Sequence, residues 1–279
     1  MKRGAKARNA PRPFSRHALL LPTFLYARFF LFILRCISRL EGEKALRWSK
    51  AVNPLFTFLF RQQRKRNIHL LLPPSRFSSA ERRQLERDYL DYIARLRVEI
   101  TRFFRIRPDQ IRQNISLSGE EHLRAALDEG RGVLLLGCHF GNWNCTAPVL
   151  TLLGYDVTSV LNPDLVPGAG FQRTYEQLAA KFRCKLSFVG QNAYLAAKES
   201  FRRNAIFYVN LDVAVRSSHS QWFPFGPAAI KIDAGPAVLA ARHRPVVLFV
   251  NCVLNERGTS MTLTPQADAV REPSKRIAP

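Results

Sequence analysis

Between about residue 118 and residue 265, helical patterns alternate with short apolar strands, and no other feature limits the fold as strongly. The first strand is the run GVLLLG at 132–137, which is apolar at nearly every position, as in strands covered on both faces. With helical patterns between them, further strand patterns follow near 155–161, 185–190, 205–210 and 245–254. Because helices that link successive strands favour parallel pairing, the sequence predicts an α/β fold with a mainly parallel sheet flanked by helices.

The N-terminal third has the pattern of a helical, membrane-associated segment. Residues 18–40 approach the length of a membrane-spanning helix, but Arg28 and Arg35 interrupt them. These arginines share one helical face with Arg39, and the other face carries Leu25, Phe29, Phe32, Ile33 and Leu40. This pattern favours a helix that lies in the membrane interface, whereas an amphipathic helix packed on a core and a tilted span are the alternatives.

Three segments are expected along the chain. Residues 1–17 form a basic arm that is predicted to be disordered, and 18–75 form the membrane-associated segment. The α/β domain is expected over 76–279, and it begins at a helix whose start is indicated by the capping box of Ser78 and Glu81. Its C-terminus is expected to be abbreviated, because no helical pattern follows the last strand.

The charge balance limits the classes of partner. The chain carries 43 Lys and Arg against 21 Asp and Glu, a formal charge of +22, which favours an anionic membrane, an acidic substrate or carrier, or nucleic acid. Nucleic acid is not expected, because the early aromatic residues follow an apolar stripe instead of a basic one. The five cysteines have no zinc-site spacing and no nucleotide-binding glycine motif is present, so neither a metal nor a cofactor is predicted.

His139 is the first candidate for chemistry, because it directly follows the strand at 132–137 in the sequence CHFGNWN. Ligands of open α/β sheets sit at the carboxyl ends of strands, where a histidine can act as a general base. Asn144 is a candidate for orienting the imidazole. A buried structural histidine is the alternative, and Cys138 or Cys145 would allow a thiol nucleophile.

Two blocks of the sequence resemble a known family. GVLLLGCHFGNWN is similar to the HFGNWE block of the bacterial lipid A biosynthesis acyltransferases, the lauroyl/myristoyl group of the lysophospholipid acyltransferase superfamily. VNLDVAVRSSHSQWFPFGPAAIKIDAGPAVLAARHRPVVLFV resembles the second block of that group. The resemblance implies transfer of an acyl chain from acyl carrier protein or coenzyme A to a hydroxyl of a lipid or glycolipid. It further implies that the protein acts at the cytoplasmic face of the bacterial inner membrane.

The same resemblance implies a set of site residues. His139 would be the general base, with Asn144 at the position where the family has an acidic residue. The residues implied in substrate binding are Gly141, Asn142, Asp212, Arg216, Phe223, Phe225 and Gly226.

The amide at residue 144 leaves three hypotheses open. Asn144 orients the histidine as an amide does in Cys-His-Asn sites, or another carboxylate such as Asp156 or Asp212 replaces the acidic residue. In the third, the chain is an impaired member of the family that binds lipid. An acceptor other than a lipid A precursor is also compatible with the motifs.

Overall fold

The computed structural model describes residues 32–59, 71–103, 105–162, 169–189, 192–212, 220–225, 228–255 and 258–266. Seven strands of this part form one sheet, and two further strands form a separate hairpin. The strands are β1 (Ile115–Ser118), β2 (Val133–Gly137), β3 (Val157–Leu161), β4 (Lys185–Phe188), β5 (Ile206–Asn210), β6 (Ser220–Phe225), β7 (Ala228–Asp233), β8 (Val246–Asn255) and β9 (Gly258–Pro265).

Helices precede the sheet and connect its strands. The α-helices are α1 (Gly42–Ala51), α2 (Asn53–Leu59), α3 (Ser79–Phe103), α4 (Ile111–Asn114), α5 (Glu120–Asp128), α6 (Thr146–Leu152), α7 (Ala169–Phe182), α8 (Ala193–Arg202) and α9 (Gly235–His243). Single 3-10 turns lie at Pro108–Gln110 and Trp143–Cys145. The helical patterns of the α/β part of the sequence correspond to α5 through α9.

The strand order of the sheet is β1-β9-β8-β2-β5-β3-β4. Strands β8, β2, β5, β3 and β4 are parallel to one another, so the prediction of a mainly parallel α/β sheet is confirmed. The sequence did not predict the other edge, where β9 is antiparallel to β8 and β1 is parallel to β9. The direction reverses there because β8 and β9 are joined through a tight connection at which Asn255 pairs with Gly258.

Both faces of the sheet are covered by helices. Leu123 of α5, Val149 of α6 and Phe182 of α7 pack on one face, together with alternate residues of β2. Phe201 of α8 and Leu239 of α9 pack on the other face. The four residues 133–136 of β2 are all buried, which explains the continuous apolar run in the sequence.

The helical residues 32–37 pack on the protein through one face. Ile33 and Ile37 are buried in a small cluster with Ala45 of α1, and Val98 of α3 lies against it. Arg35 and Arg39 are exposed. Ile33 faces the protein and not a membrane, which agrees with the alternative of an amphipathic helix packed on a core. The rest of the proposed interface helix and the basic arm lie outside the described residues. Within the described ranges, every helix is too short or too polar to cross a bilayer.

Helix α3 begins where the sequence predicts, but only the C-terminal part of its apolar stripe is buried. The Ser78 amide donates to Glu81 Oε2 at 2.7 Å and the Glu81 amide donates to Ser78 Oγ at 3.2 Å, which confirms the capping box. Apolar residues recur every three or four positions along this helix in the sequence, which predicts one apolar face from Leu85 to Phe103. Leu85 and Tyr89 of this stripe are exposed, whereas Ile100 is buried. Arg97 is buried as well.

A buried polar network joins α3 to α1 and α2. The Arg97 guanidinium donates to Asn53 Oδ1 and to the Ser49 carbonyl, and the Ser49 hydroxyl donates to the Ala94 carbonyl at 2.9 Å. Removing one member would leave its partners unsatisfied in a low dielectric, so the network fixes how these helices meet. Helical periodicity alone treats arginine as a solvent residue, and for this reason the sequence pattern did not predict that Arg97 is buried.

Candidate active site

The site forms at the ends of two neighbouring strands in the middle of the sheet. Gly137, the last residue of β2, pairs with Asn210, the last residue of β5. His139 and Asp212 each follow two residues later. The chain leaves β2 toward α6 on one face and leaves β5 toward α9 on the other, and such diverging connections open a crevice where α/β proteins bind ligands.

Asp212 binds both the side chain and the backbone of His139. Its Oδ1 lies 2.8 Å from Nδ1 of the imidazole, and the His139 backbone amide donates to Oδ1 and Oδ2 at 3.0 and 2.8 Å. Because an ionised carboxylate only accepts hydrogen bonds, this contact places a proton on Nδ1. In the neutral imidazole, Nε2 then carries the free lone pair that a general base requires.

The electrostatics of Asp212 favour this arrangement. Partial burial raises the pKa of the Asp212 carboxyl, but hydrogen bonds from the His139 ring and from its backbone amide outweigh that effect and lower the pKa. Asp212 is therefore ionised at neutral pH. The side chains of His139 and Asp212 remain 35% and 26% exposed, so a substrate can approach the pair.

Trp143 and Asn144 flank the histidine in different ways. The Trp143 ring meets the imidazole edge to face, with ring centroids 4.3 Å apart, and so restricts its rotation. Asn144 Oδ1 accepts a hydrogen bond from the Tyr175 hydroxyl at 3.3 Å. Within the described part of the chain, no hydrogen bond joins Asn144 to His139. The carboxylate that contacts the imidazole is Asp212, one of the two replacements that the sequence left open.

Gly141 and Asn142 fix the turn that carries His139. Gly141 has a φ of +61°, and a β-carbon at this position would lie 1.4 Å from the carbonyl oxygen of Cys252 in β8. Asn142 is buried, and its amide donates to Thr259 Oγ1 of β9 at 3.1 Å. The turn is thereby attached to two strands, and a direct contact of Gly141 or Asn142 with substrate stays a prediction.

Tyr92 of α3 reaches the same turn. Burial raises the pKa of the Tyr92 hydroxyl and the nearby Gly141 backbone acts in the opposite direction, but the hydroxyl has no hydrogen-bond partner among the described residues. In the sequence Tyr92 is one member of an apolar helical stripe, and Trp143 is one letter of the motif. The sequence did not indicate that either side chain would lie beside the His139 turn, because both positions depend on how α3 and the 3-10 turn pack around His139.

Two of the remaining predicted binding residues lie on the β6–β7 hairpin. Phe223 and Phe225 are exposed on β6. Arg216 and Gly226 lie outside the described residues. The second block of the sequence therefore supplies Asp212 to the histidine and continues into a protruding hairpin.

The cysteines near His139 are poorly suited to nucleophilic chemistry. Cys145 is fully buried, and its thiol donates to the sulfur of Cys252 at 3.9 Å, which together with burial raises its pKa. Burial also raises the pKa of the Cys138 thiol, with a further contribution from the charge of Asp212. A raised pKa leaves less of the reactive thiolate. Among the described residues, no group of three or more His, Cys, Asp or Glu is arranged to hold a metal ion.

An apolar cavity of about 320 Å³ lies next to the site, on the face of the sheet that α8 and α9 cover. Its lining includes Ala193, Phe207, Val209, Leu211 and Leu239. Leu211 directly precedes Asp212 in the chain, whereas Asp212 and His139 themselves do not line the cavity. A cavity of this kind suits an apolar chain whose reactive end lies near the imidazole.

Comparison with known proteins identifies the family of the chain. A family model described as bacterial lipid A biosynthesis acyltransferase matches residues 12–277. The chain belongs to this family. No curated protein matches the chain significantly.

Membership in the lipid A biosynthesis acyltransferase family confirms the resemblance of the two sequence blocks. The family's reaction is the transfer of an acyl group to a lipid acceptor.

Proposed function

We propose that this protein transfers a fatty acyl chain from an acyl thioester to a hydroxyl of a lipid A precursor, with His139 as the general base. The observation that carries the proposal is the 2.8 Å contact between His139 Nδ1 and Asp212 Oδ1 at the carboxyl edge of the sheet. In the donor the thioester belongs to acyl carrier protein or coenzyme A. The formal charge of +22 favours an acidic carrier and a phosphorylated acceptor.

The reaction proceeds in two proton-coupled steps. Nε2 of His139 takes the proton of the acceptor hydroxyl while the oxygen attacks the thioester carbonyl carbon and a C–O bond forms. The tetrahedral intermediate then collapses, the C–S bond breaks, and the leaving thiolate recovers the proton from His139. Asp212 remains ionised throughout, because its role is to fix the tautomer and to stabilise the transient imidazolium.

A location at the cytoplasmic face of the bacterial inner membrane belongs to the same proposal. Helix α2 exposes Leu55 and Phe58, and the exposed fraction of the Phe58 side chain is 72%. Exposed apolar side chains in a strongly basic chain suit an anionic lipid surface. An acceptor embedded in that surface would reach the crevice without leaving the membrane.

The decisive experiment identifies donor and acceptor. Membranes that contain the wild-type chain are incubated with a lipid A precursor and either labelled acyl carrier protein thioester or acyl-coenzyme A, and the products are weighed by mass spectrometry. We expect the mass of the precursor to increase by one acyl group. Membranes that contain His139→Ala should show no such increase. Binding of precursor without transfer from either donor would instead favour the impaired, lipid-binding member of the family.

The cavity beside Asp212 predicts control of acyl chain length. Ala193→Phe fills part of the cavity, so we expect the ratio of long-chain to short-chain transfer to fall by about fourfold for each methylene that no longer fits, because a buried methylene is worth about 0.8 kcal/mol. Competition between two labelled donors of different length measures this ratio. Ala180→Phe is the control, because Ala180 is exposed on α7 and does not line this cavity. An equal change in both variants would contradict the assignment of the cavity.

A further inference from the structure

The β6–β7 hairpin stands apart from the main sheet and exposes aromatic side chains. Its strands pair from Ser220 with Asp233 to Phe225 with Ala228. The exposed fractions of Trp222, Phe223 and Phe225 are 69%, 44% and 57%. Successive side chains of a strand point to opposite faces, so Trp222 is exposed on one face of the hairpin and Phe223 and Phe225 on the other. Apolar rings exposed on both faces are the kind of surface that marks an interaction site.

The charge around the hairpin indicates the nature of the partner. Lys231 is directly opposite Trp222 in the register, and Arg131 and Arg244 line the same groove as Phe223, together with the carboxylates of Glu129 and Asp233. Asp233 is at the base of the hairpin, where its Oδ1 accepts a hydrogen bond from the Gly235 amide at 2.7 Å. Aromatic rings with flanking cations suit the headgroup region of an anionic bilayer. A second copy of a chain with a charge of +22 would be repelled.

The position of the hairpin relates it to the site. Phe223 and Leu211 line a common open groove of about 1160 Å³, and Leu211 adjoins Asp212. Beyond the hairpin the chain enters α9, which borders the apolar cavity. A surface that receives the hairpin would therefore lie on the side of the sheet that carries this groove and the apolar cavity.

We propose that the β6–β7 hairpin inserts Trp222, Phe223 and Phe225 into the interface of a bilayer that contains anionic phospholipids. The hairpin thereby orients the crevice of His139 and Asp212 toward lipid-borne acceptors. This inference rests on the membrane location proposed above, but not on the acyl-transfer chemistry. It is separate from any membrane contact of the N-terminal segment.

The fluorescence of Trp222 provides a local test. The chain has three tryptophans, so Trp48→Phe with Trp143→Phe leaves Trp222 as the sole reporter in the full-length protein. We expect its emission to shift to shorter wavelength and to be quenched by brominated lipid when vesicles of phosphatidylcholine and phosphatidylglycerol are added. Emission that stays unshifted and unquenched while the protein sediments with the vesicles would overturn the proposal. A shift that depends on protein concentration without vesicles would overturn it too, because a second copy would then cover the hairpin.

A matched pair of variants tests the energetic contribution. Trp222→Ser with Phe225→Ser is expected to weaken vesicle partitioning by at least about tenfold, because burying one large apolar side chain contributes about 1.5–3 kcal/mol. Tyr89→Ser removes an exposed aromatic ring from α3 and should leave partitioning unchanged. Equal losses in both proteins, or no loss in the hairpin variant, would refute the role of the hairpin. Neither readout requires turnover, so failure here is distinguishable from failure of the proposed acyl transfer.

Discussion

Asp212→Asn is expected to lower kcat for acyl transfer by about ten-thousand-fold, as the loss of the aspartate does in serine-protease triads. An asparagine at this position can donate its side-chain N–H to Nδ1 of His139, which moves the imidazole proton to Nε2 and removes the base. Initial rates at saturating donor and acceptor measure the effect. Circular dichroism must be unchanged, since Asp212 also binds the His139 backbone amide.

Asn144 provides the matched control for this prediction. Asn144→Ala removes the contact with Tyr175, and one neutral hydrogen bond is worth about 1 kcal/mol, or about fivefold in rate at most. Adding Asn144→Asp to the Asp212→Asn variant is not expected to restore activity, because the side chain at 144 contacts Tyr175 and not His139. If that second substitution restored the rate, residue 144 and not Asp212 would be the one that orients the His139 imidazole. A larger loss of activity in Asn144→Ala than in Asp212→Asn would lead to the same conclusion.

Gly141→Ala is expected to have the largest effect on folding among single-atom additions near the site. The left-handed backbone costs a non-glycine residue about 1–2 kcal/mol, and overpacking against β8 adds about 1–3 kcal/mol. The collision is with backbone, since the new β-carbon would lie 1.4 Å from the Cys252 carbonyl oxygen. Moving the turn by about 1 Å would lower the transfer rate by about a hundredfold in the molecules that still fold.

Gly130→Ala isolates the steric part of the Gly141 effect. Gly130 also has positive φ, at +72°, but a β-carbon there meets no atom within 4 Å. Its cost should be the backbone strain of about 1–2 kcal/mol alone, with transfer activity retained. Urea unfolding curves of the two variants give both free energies. Matching values for the two glycines, together with matching activity, would show that the close approach of the turn to β8 is unimportant.

The attachment of the His139 turn explains why these two predictions concern different quantities. Asp212 acts on the protonation of the imidazole, so its replacement changes the chemical step. Gly141 acts on the position of the whole turn, which β8, β9 and α3 surround. Replacing a residue that positions the proton changes mainly kcat, whereas replacing a residue that shapes the backbone also changes the free energy of unfolding. Measuring both quantities for each variant therefore distinguishes the two roles.

Much of the fold was determined by the sequence itself, because periodicity and apolar runs are local. The run at 132–137 specifies a strand covered on both faces, and Ser78 with Glu81 specifies the start of α3 through hydrogen bonds between near neighbours. The motif around His139 predicted its position after a strand for the same reason. These features need only a few consecutive residues, so no knowledge of the tertiary structure was required.

The partner of His139 was decided only by the tertiary structure. Asp212 is 73 residues away in the chain and reaches the imidazole because β5 lies beside β2, a pairing that depends on the order of the whole sheet. Asn144 is five residues away, yet the 3-10 turn directs its side chain to Tyr175. Likewise, Ile33 packs inward because α1 and α3 offer it an apolar surface, which no periodicity in residues 18–40 could specify. Local patterns fix which elements form, whereas long-range packing fixes which side chains meet.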